Sequence, residues 1–125
     1  MFKRIDHVEI VSGNLDRSIR FYTEVMGFAV KERRKPTSPG IEEIAFLTLG
    51  DTMLELLALT NAAPRFTGAL IGFRMMAIEV EDMDRAIDYL KGKGVEISMN
   101  PVTIGTSKRA EFKDPDGLSI ELRQW

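Results

Sequence analysis

Residues 7–22 of this chain lie without gaps on residues 75–90, Met75 standing 68 residues after His7. An internal repeat of that length restricts the chain to folds built from two copies of one supersecondary unit. Ile10 meets Ile78, Asn14 meets Asp82, Asp16 and Arg17 meet Asp84 and Arg85, and Ile19 meets Ile87. In each copy apolar residues first alternate (Val8, Ile10; Met76, Ile78, Val80) and then switch to helical spacing (Leu15, Ile19, Tyr22, Met26; Met83, Ile87, Leu90). Asn14 and Asp82 stand where an N-cap accepts from orphan N–H groups, and Gly27 and Gly94 stand where a glycine closes a helix. The downstream halves match as well, Phe46 on Phe112, Leu54 on Ile120, Glu55 on Glu121 and Leu56 on Leu122, with Glu121 now 66 residues after Glu55.

These downstream halves read as hairpins, residues 44–49 with 53–59 across Gly50-Asp51, and residues 109–113 with 118–123 across Pro115-Asp116-Gly117. A further strand precedes each, at residues 28–33 and 95–99, followed by loops at 36–40 and 100–107. The pattern predicts an α+β fold of two tandem βαβββ modules, residues about 1–60 and 73–125, joined by a linker at about 61–72 within one domain spanning 1–125. Hydrophobic residues at 44% and charged residues at 29% are an ordinary globular composition. A net charge of -2 gives no electrostatic pull toward nucleic acid or an anionic membrane, and no apolar run is long enough to span a bilayer. With no signal-peptide core at the start, the expected location is cytoplasmic. The chain has no cysteine and a single histidine, so any metal must be held by His7 and carboxylates.

Strand alternation sorts the side chains by face. Val8, Ile10, Leu54, Leu56, Met76, Ile78, Ile120 and Leu122 form an apolar face for the helices. The opposite face carries Ile5, His7, Glu9, Met53, Glu55 and Leu57, and in the second copy Phe73, Met75, Ala77, Ser119, Glu121 and Arg123. Apolar walls with a few ionisable groups are the make-up of a small-molecule cleft. Glu9 and Arg123 face it with no chemistry specified by their spacing. The basic run at residues 31–35 lacks interleaved aromatics and reads as a solvated strand end or a substrate-side loop.

The runs Ile5-Asp6-His7-Val8, Leu15-Asp16-Arg17-Ser18-Ile19-Arg20-Phe21-Tyr22, Met26-Gly27-Phe28 and Asp114-Pro115-Asp116-Gly117-Leu118-Ser119-Ile120-Glu121-Leu122 resemble the vicinal oxygen chelate superfamily. That superfamily includes glyoxalase I, methylmalonyl-CoA epimerase, extradiol dioxygenases and the fosfomycin and bleomycin resistance proteins. The resemblance implies a cupped mixed sheet with helices on its outer face, a homodimer, and a divalent metal (Zn, Ni, Mn or Fe) held by one residue from the first and one from the last strand of each module. Those four positions are His7, Glu55, Met75 and Glu121. His7, Glu55 and Glu121 are competent ligands, whereas the thioether of Met75 binds hard divalent ions poorly. Glu55 and Glu121 are also the candidate proton carriers.

Two readings follow. In one, the chain is a glyoxalase-like, metal-dependent isomerase or lyase whose small substrate offers two vicinal oxygens. In the other, it is a metal-free protein that binds a small molecule or sequesters an antibiotic in the manner of bleomycin resistance proteins. Bacterial glyoxalases of this type carry an Arg four residues after the first His and an Asn four after the first-module Glu. Here those positions are Val11 and Leu59. A charged hydrogen bond lost costs roughly 1.5–3 kcal/mol, so the expected substrate is not a glutathione adduct.

Overall fold

In the computed structural model, which describes residues 1–66 and 68–125, each copy of the repeat folds as a strand, a helix and three further strands. The chain divides into two units, Met1–Arg65 and Phe66–Trp125, with the boundary inside the expected linker. Thr67 of that linker lies outside the described residues. The architecture is the expected α+β pair of tandem βαβββ modules, each with its own four-stranded mixed sheet.

In the first unit β1 (Val8–Val11) runs parallel to β4 (Thr52–Leu59), and β3 (Ile41–Leu49) and β2 (Ala29–Arg34) complete the sheet in the order β1-β4-β3-β2. A parallel neighbour requires a crossover, which helix α1 (Leu15–Arg20) supplies. Asn14 caps that helix from extended backbone, its Oδ1 accepting from Arg17 N at 3.0 Å. The expected single helix then changes pitch. Residues Phe21–Val25 form a π-turn in which Met26 N donates to Phe21 O at 3.2 Å. This widening seats Tyr22, fully buried, edge-on between Phe21 and Phe28.

The second unit repeats the arrangement with β5 (Met76–Glu79), helix α2 (Met83–Gly92), β6 (Ile97–Ile104), β7 (Ser107–Lys113) and β8 (Ser119–Gln124), in the order β5-β8-β7-β6. Asp82 caps α2 by accepting from Arg85 N, and Gln124 Oε1 from β8 accepts from Met83 N at 2.7 Å, tying the helix start to the sheet. The loop expected at residues 100–107 is instead mostly strand. Pro101 is accommodated because β6 is an edge strand, and the register shifts between Met99 and Val102 around it.

One match between the copies also shifts. Phe112 pairs with Ile120, but it is Leu47 that pairs with Leu54, so Phe112 corresponds to Leu47 and not to Phe46. Leu47 and Phe112 are both fully buried. The cause is the turns. The equivalent pairs Thr48–Met53 and Lys113–Ser119 enclose four residues (49–52) in the first module and five (Asp114-Pro115-Asp116-Gly117-Leu118) in the second. In that loop the buried Asp114 side chain accepts from Asp116 N at 2.9 Å and Leu118 N at 2.8 Å, while Gly117 takes a φ of 80°. Asp114→Ala should therefore lower the unfolding free energy by about 1–3 kcal/mol, two backbone donors losing their acceptor. Asp114→Asn, which keeps the acceptor oxygen, should lose less. Chemical denaturation midpoints at unchanged m-value will check both.

Candidate metal centre and its counterpart in the second module

The register of the parallel pair sets Glu9 directly beside Glu55, with Ile10 beside Leu56. Ile10, Leu54 and Leu56 are buried, and alternation sends Glu9, Glu55 and His7, the residue before β1, to the other face. Strand β4 is enclosed on both sides, for Glu55 is only 6% exposed and Leu57 matches it. His7 Nε2 stands 2.9 Å from Glu55 Oε2 and 3.4 Å from Glu9 Oε1. On the far side of the ring, Nδ1 is 2.8 Å from Asp6 Oδ2. Phe46, which pairs with Glu55 across β3 and β4, meets the imidazole edge-on at 6.0 Å.

Burial pushes the Glu55 carboxyl above its ordinary range, the nearby Glu9 carboxylate adds to the push, and His7 offsets part of it. The hydrogen bond to Asp6 is the main reason that the His7 imidazole is raised above its ordinary value; partial burial opposes it, and Glu9 and Glu55 reinforce it. Asp6 is correspondingly lowered, chiefly by the same bond to His7.

His7, Glu9 and Glu55 each offer a donor atom, and these atoms lie within 4.8 Å of one another. Two donors each about 2.1 Å from one tetrahedral ion stand roughly 3.4 Å apart, close to the spacings around His7 Nε2. An imidazole with two carboxylates, the ring oriented through its other nitrogen by Asp6, is a donor set that fits a divalent ion. Two of these three residues, His7 and Glu55, are among the metal ligands that the family resemblance implies. Glu9 is the residue whose spacing specified no chemistry; the signal that could have found it is the parallel pairing of β1 with β4.

The corresponding face of the second unit is built differently. Met75 precedes β5 as His7 precedes β1, and Ala77 lies beside Glu121 where Glu9 lies beside Glu55. Glu121 keeps its carboxylate in ion pairs, Oε1 with Arg123 Nη2 at 2.7 Å and Oε2 with Arg109 Nε at 3.0 Å. Arg109 also pairs with Glu111, and Arg74 reaches to 3.8 Å of the same carboxylate. By register, Arg109, Glu111 and Arg123 occupy the places of Ile44, Phe46 and Leu57. Sequence reading singled out Arg123 but not Arg109 or Glu111.

No helix among the described residues is long and apolar enough to cross a membrane. Residues 4–122 match the family described as Glyoxalase/Bleomycin resistance protein/Dioxygenase superfamily. A probable lactoylglutathione lyase of Vibrio cholerae is 37% identical over 97% of this chain and 90% of its own length. The crystal structure of a glyoxalase family protein from Enterococcus faecalis superposes with a TM-score of 0.85 at 30% identity, covering 98% of both chains. The trypanothione-dependent glyoxalase I of Leishmania major superposes with a TM-score of 0.80 at 30% identity over 98% of this chain and 87% of its own. With relatives named for lactoylglutathione at this level of identity, the expectation that excluded a glutathione adduct on the strength of Val11 and Leu59 does not stand; two side chains on β1 and β4 do not exhaust the places from which a carboxylate can be held. Sequence and fold agree, and the chain belongs to the Glyoxalase/Bleomycin resistance protein/Dioxygenase superfamily.

Proposed function

We propose that the protein is a metal-dependent lyase of the glyoxalase type, acting on the adduct of a 2-oxoaldehyde with a glutathione-like thiol. The observation that carries this reading is the convergence of His7, Glu9 and Glu55 at ligand spacing on one face of the first sheet. In it His7 and Glu55 hold the ion, and Glu9 is the third donor within reach. Glu121, the ligand that the resemblance draws from the second module, is engaged by Arg109 and Arg123 and is assigned no ligand role. Two carboxylates gathered on one imidazole make a donor set that a divalent cation would satisfy, which favours this reading over a metal-free sequestering protein.

The chemistry required is a proton shift between adjacent carbons that bear vicinal oxygens. A bound divalent ion supplies Lewis-acid polarisation of those oxygens. Glu55 carries the proton, as the buried carboxylate of the constellation, held 2.9 Å from His7 Nε2. Asp6 fixes the imidazole through Nδ1, leaving Nε2 facing the carboxylates. Phe46 and Leu57 flank Glu55 and shield it from water.

Three outcomes follow from this assignment. Lactoylglutathione formation from methylglyoxal and glutathione by the Ni²⁺- or Zn²⁺-loaded protein should reach a kcat/KM of about 10⁴ M⁻¹s⁻¹ or more, and Glu55→Gln should reduce kcat by about 10²-fold or more; negligible turnover by the loaded wild type would overturn the activity. Isothermal titration should find Ni²⁺ affinity lowered at least about tenfold, roughly 1.4 kcal/mol, in His7→Ala, Glu9→Gln and Glu55→Gln, and less than about twofold in Glu121→Gln. Affinity should also rise with pH. A protonated imidazole cannot ligate, and because the His7 value is raised, protons compete to a higher pH than at an ordinary histidine. Asp6→Asn, by removing the main cause of that raise, should move the rise in Ni²⁺ affinity to lower pH, as titrations across pH 5–9 with the single imidazole followed by NMR will reveal.

A further inference from the structure

The second sheet offers a site that the proposed chemistry leaves unused. Three guanidinium groups, Arg74, Arg109 and Arg123, gather on its non-helical face around two carboxylates, Glu111 and Glu121, leaving one positive charge in excess. Arg109 and Arg123 face each other across β7 and β8, and each side chain is 22% exposed. Charges so far removed from water cost free energy, and apolar residues of similar volume commonly serve stability as well or better. The first module demonstrates it, placing Ile44, Phe46 and Leu57 at the same register positions in the same fold. The fold therefore does not require these ions, and a recognition role accounts for them.

The guanidinium groups are also held ready. Arg123 lies 5.0 Å over the Trp125 ring, with Nη1 donating to Ser107 Oγ at 3.2 Å and Nε donating to Glu121 at 2.8 Å. Arg109 Nε is buried and, although 3.0 Å from Glu121 Oε2, is out of line for a hydrogen bond and makes none among the described residues. A buried donor without a properly aligned acceptor is poised for a better one. Planar guanidinium forks match a carboxylate in two parallel hydrogen bonds.

We infer that Arg109 and Arg123 form a carboxylate-binding site, with Glu111 and Glu121 as resident counter-ions that hold the two forks in place until a ligand carboxylate competes for them. Identifying the ligand as a glutathione-type thioether rests on the lyase reading; the charge selectivity rests on the cluster alone. The metal-free protein is titrated calorimetrically with S-methylglutathione and with its diethyl ester. The acid should bind, and the ester at least about tenfold more weakly. Arg109→Gln and Arg123→Gln should each weaken the acid at least about tenfold. Glu111→Gln, which removes a competing carboxylate, should tighten it, a change that a merely structural ion pair would not produce. Arg85→Gln, on an exposed helix position, serves as the charge control and should leave binding unaltered. Should an arginine variant fail to fold, the acid-to-ester ratio and its decline with salt in the wild type decide the matter. Equal binding of acid and ester, no binding of the acid at millimolar concentration, or wild-type affinity in both folded arginine variants would overturn the site. Selective binding of the acid without turnover by the metal-loaded enzyme would preserve the site while removing the lyase reading.

Discussion

Glu55 sits in the interior of a strand that is covered on both sides, and a carboxylate in that position must be neutralised, protonated or coordinated. Its neighbours answer that demand. The β1–β4 parallel pairing delivers Glu9 to its flank and His7 to its oxygen, and Asp6 turns the imidazole so that Nε2 points inward. The parallel pairing in turn depends on the crossover through α1, whose start is secured by Asn14 and whose end is widened into the π-turn that buries Tyr22. The chain from capping residue to metal-competent constellation is thus continuous, and each link is a hydrogen bond or a packing contact between named residues.

Duplication has left the two modules with the same backbone and different chemistry. At matched positions one carries His7, Glu9, Phe46 and Leu57, the other Met75, Ala77, Glu111 and Arg123. Glu55 and Glu121 are alike in sequence and in register, yet one faces an imidazole and the other two guanidinium groups. Identity of residue and place is therefore not identity of role. What a carboxylate can do is set by the charges that the neighbouring strands bring against it.

Much of this was legible from the residues. The repeat, both N-caps and the inward alternation of His7 and Glu55 follow from period and spacing, because helical and strand periods determine which side chains share a face; that Met75 stands at a ligand position is what the family resemblance implies. Register does not follow from period. The match of Phe46 to Phe112 failed because equivalent pairs enclose four residues in one module and five in the other, and a one-residue slip reverses the face of every side chain. The same limit left open the role of Glu9, which alternation places on the cleft face but whose neighbour is fixed by a parallel pairing between strands some forty residues apart. It also hid Arg109 and Glu111, whose partners are across the sheet. Pro101, within the expected loop at residues 100–107, reads as a loop signal because nothing local announces that its strand lies at an edge.

The central claim is that the first module alone provides the protein ligands of the metal. X-ray absorption at the Ni²⁺ edge of the loaded wild-type protein tests it directly, because imidazole nitrogen, carboxylate oxygen and thioether sulfur scatter differently. The account predicts one imidazole per ion with oxygen donors in the remaining positions, the imidazole signature disappearing in His7→Ala and the sulfur signature absent throughout. A thioether sulfur in the coordination shell, lost on Met75→Leu, or a shell with no imidazole would contradict it.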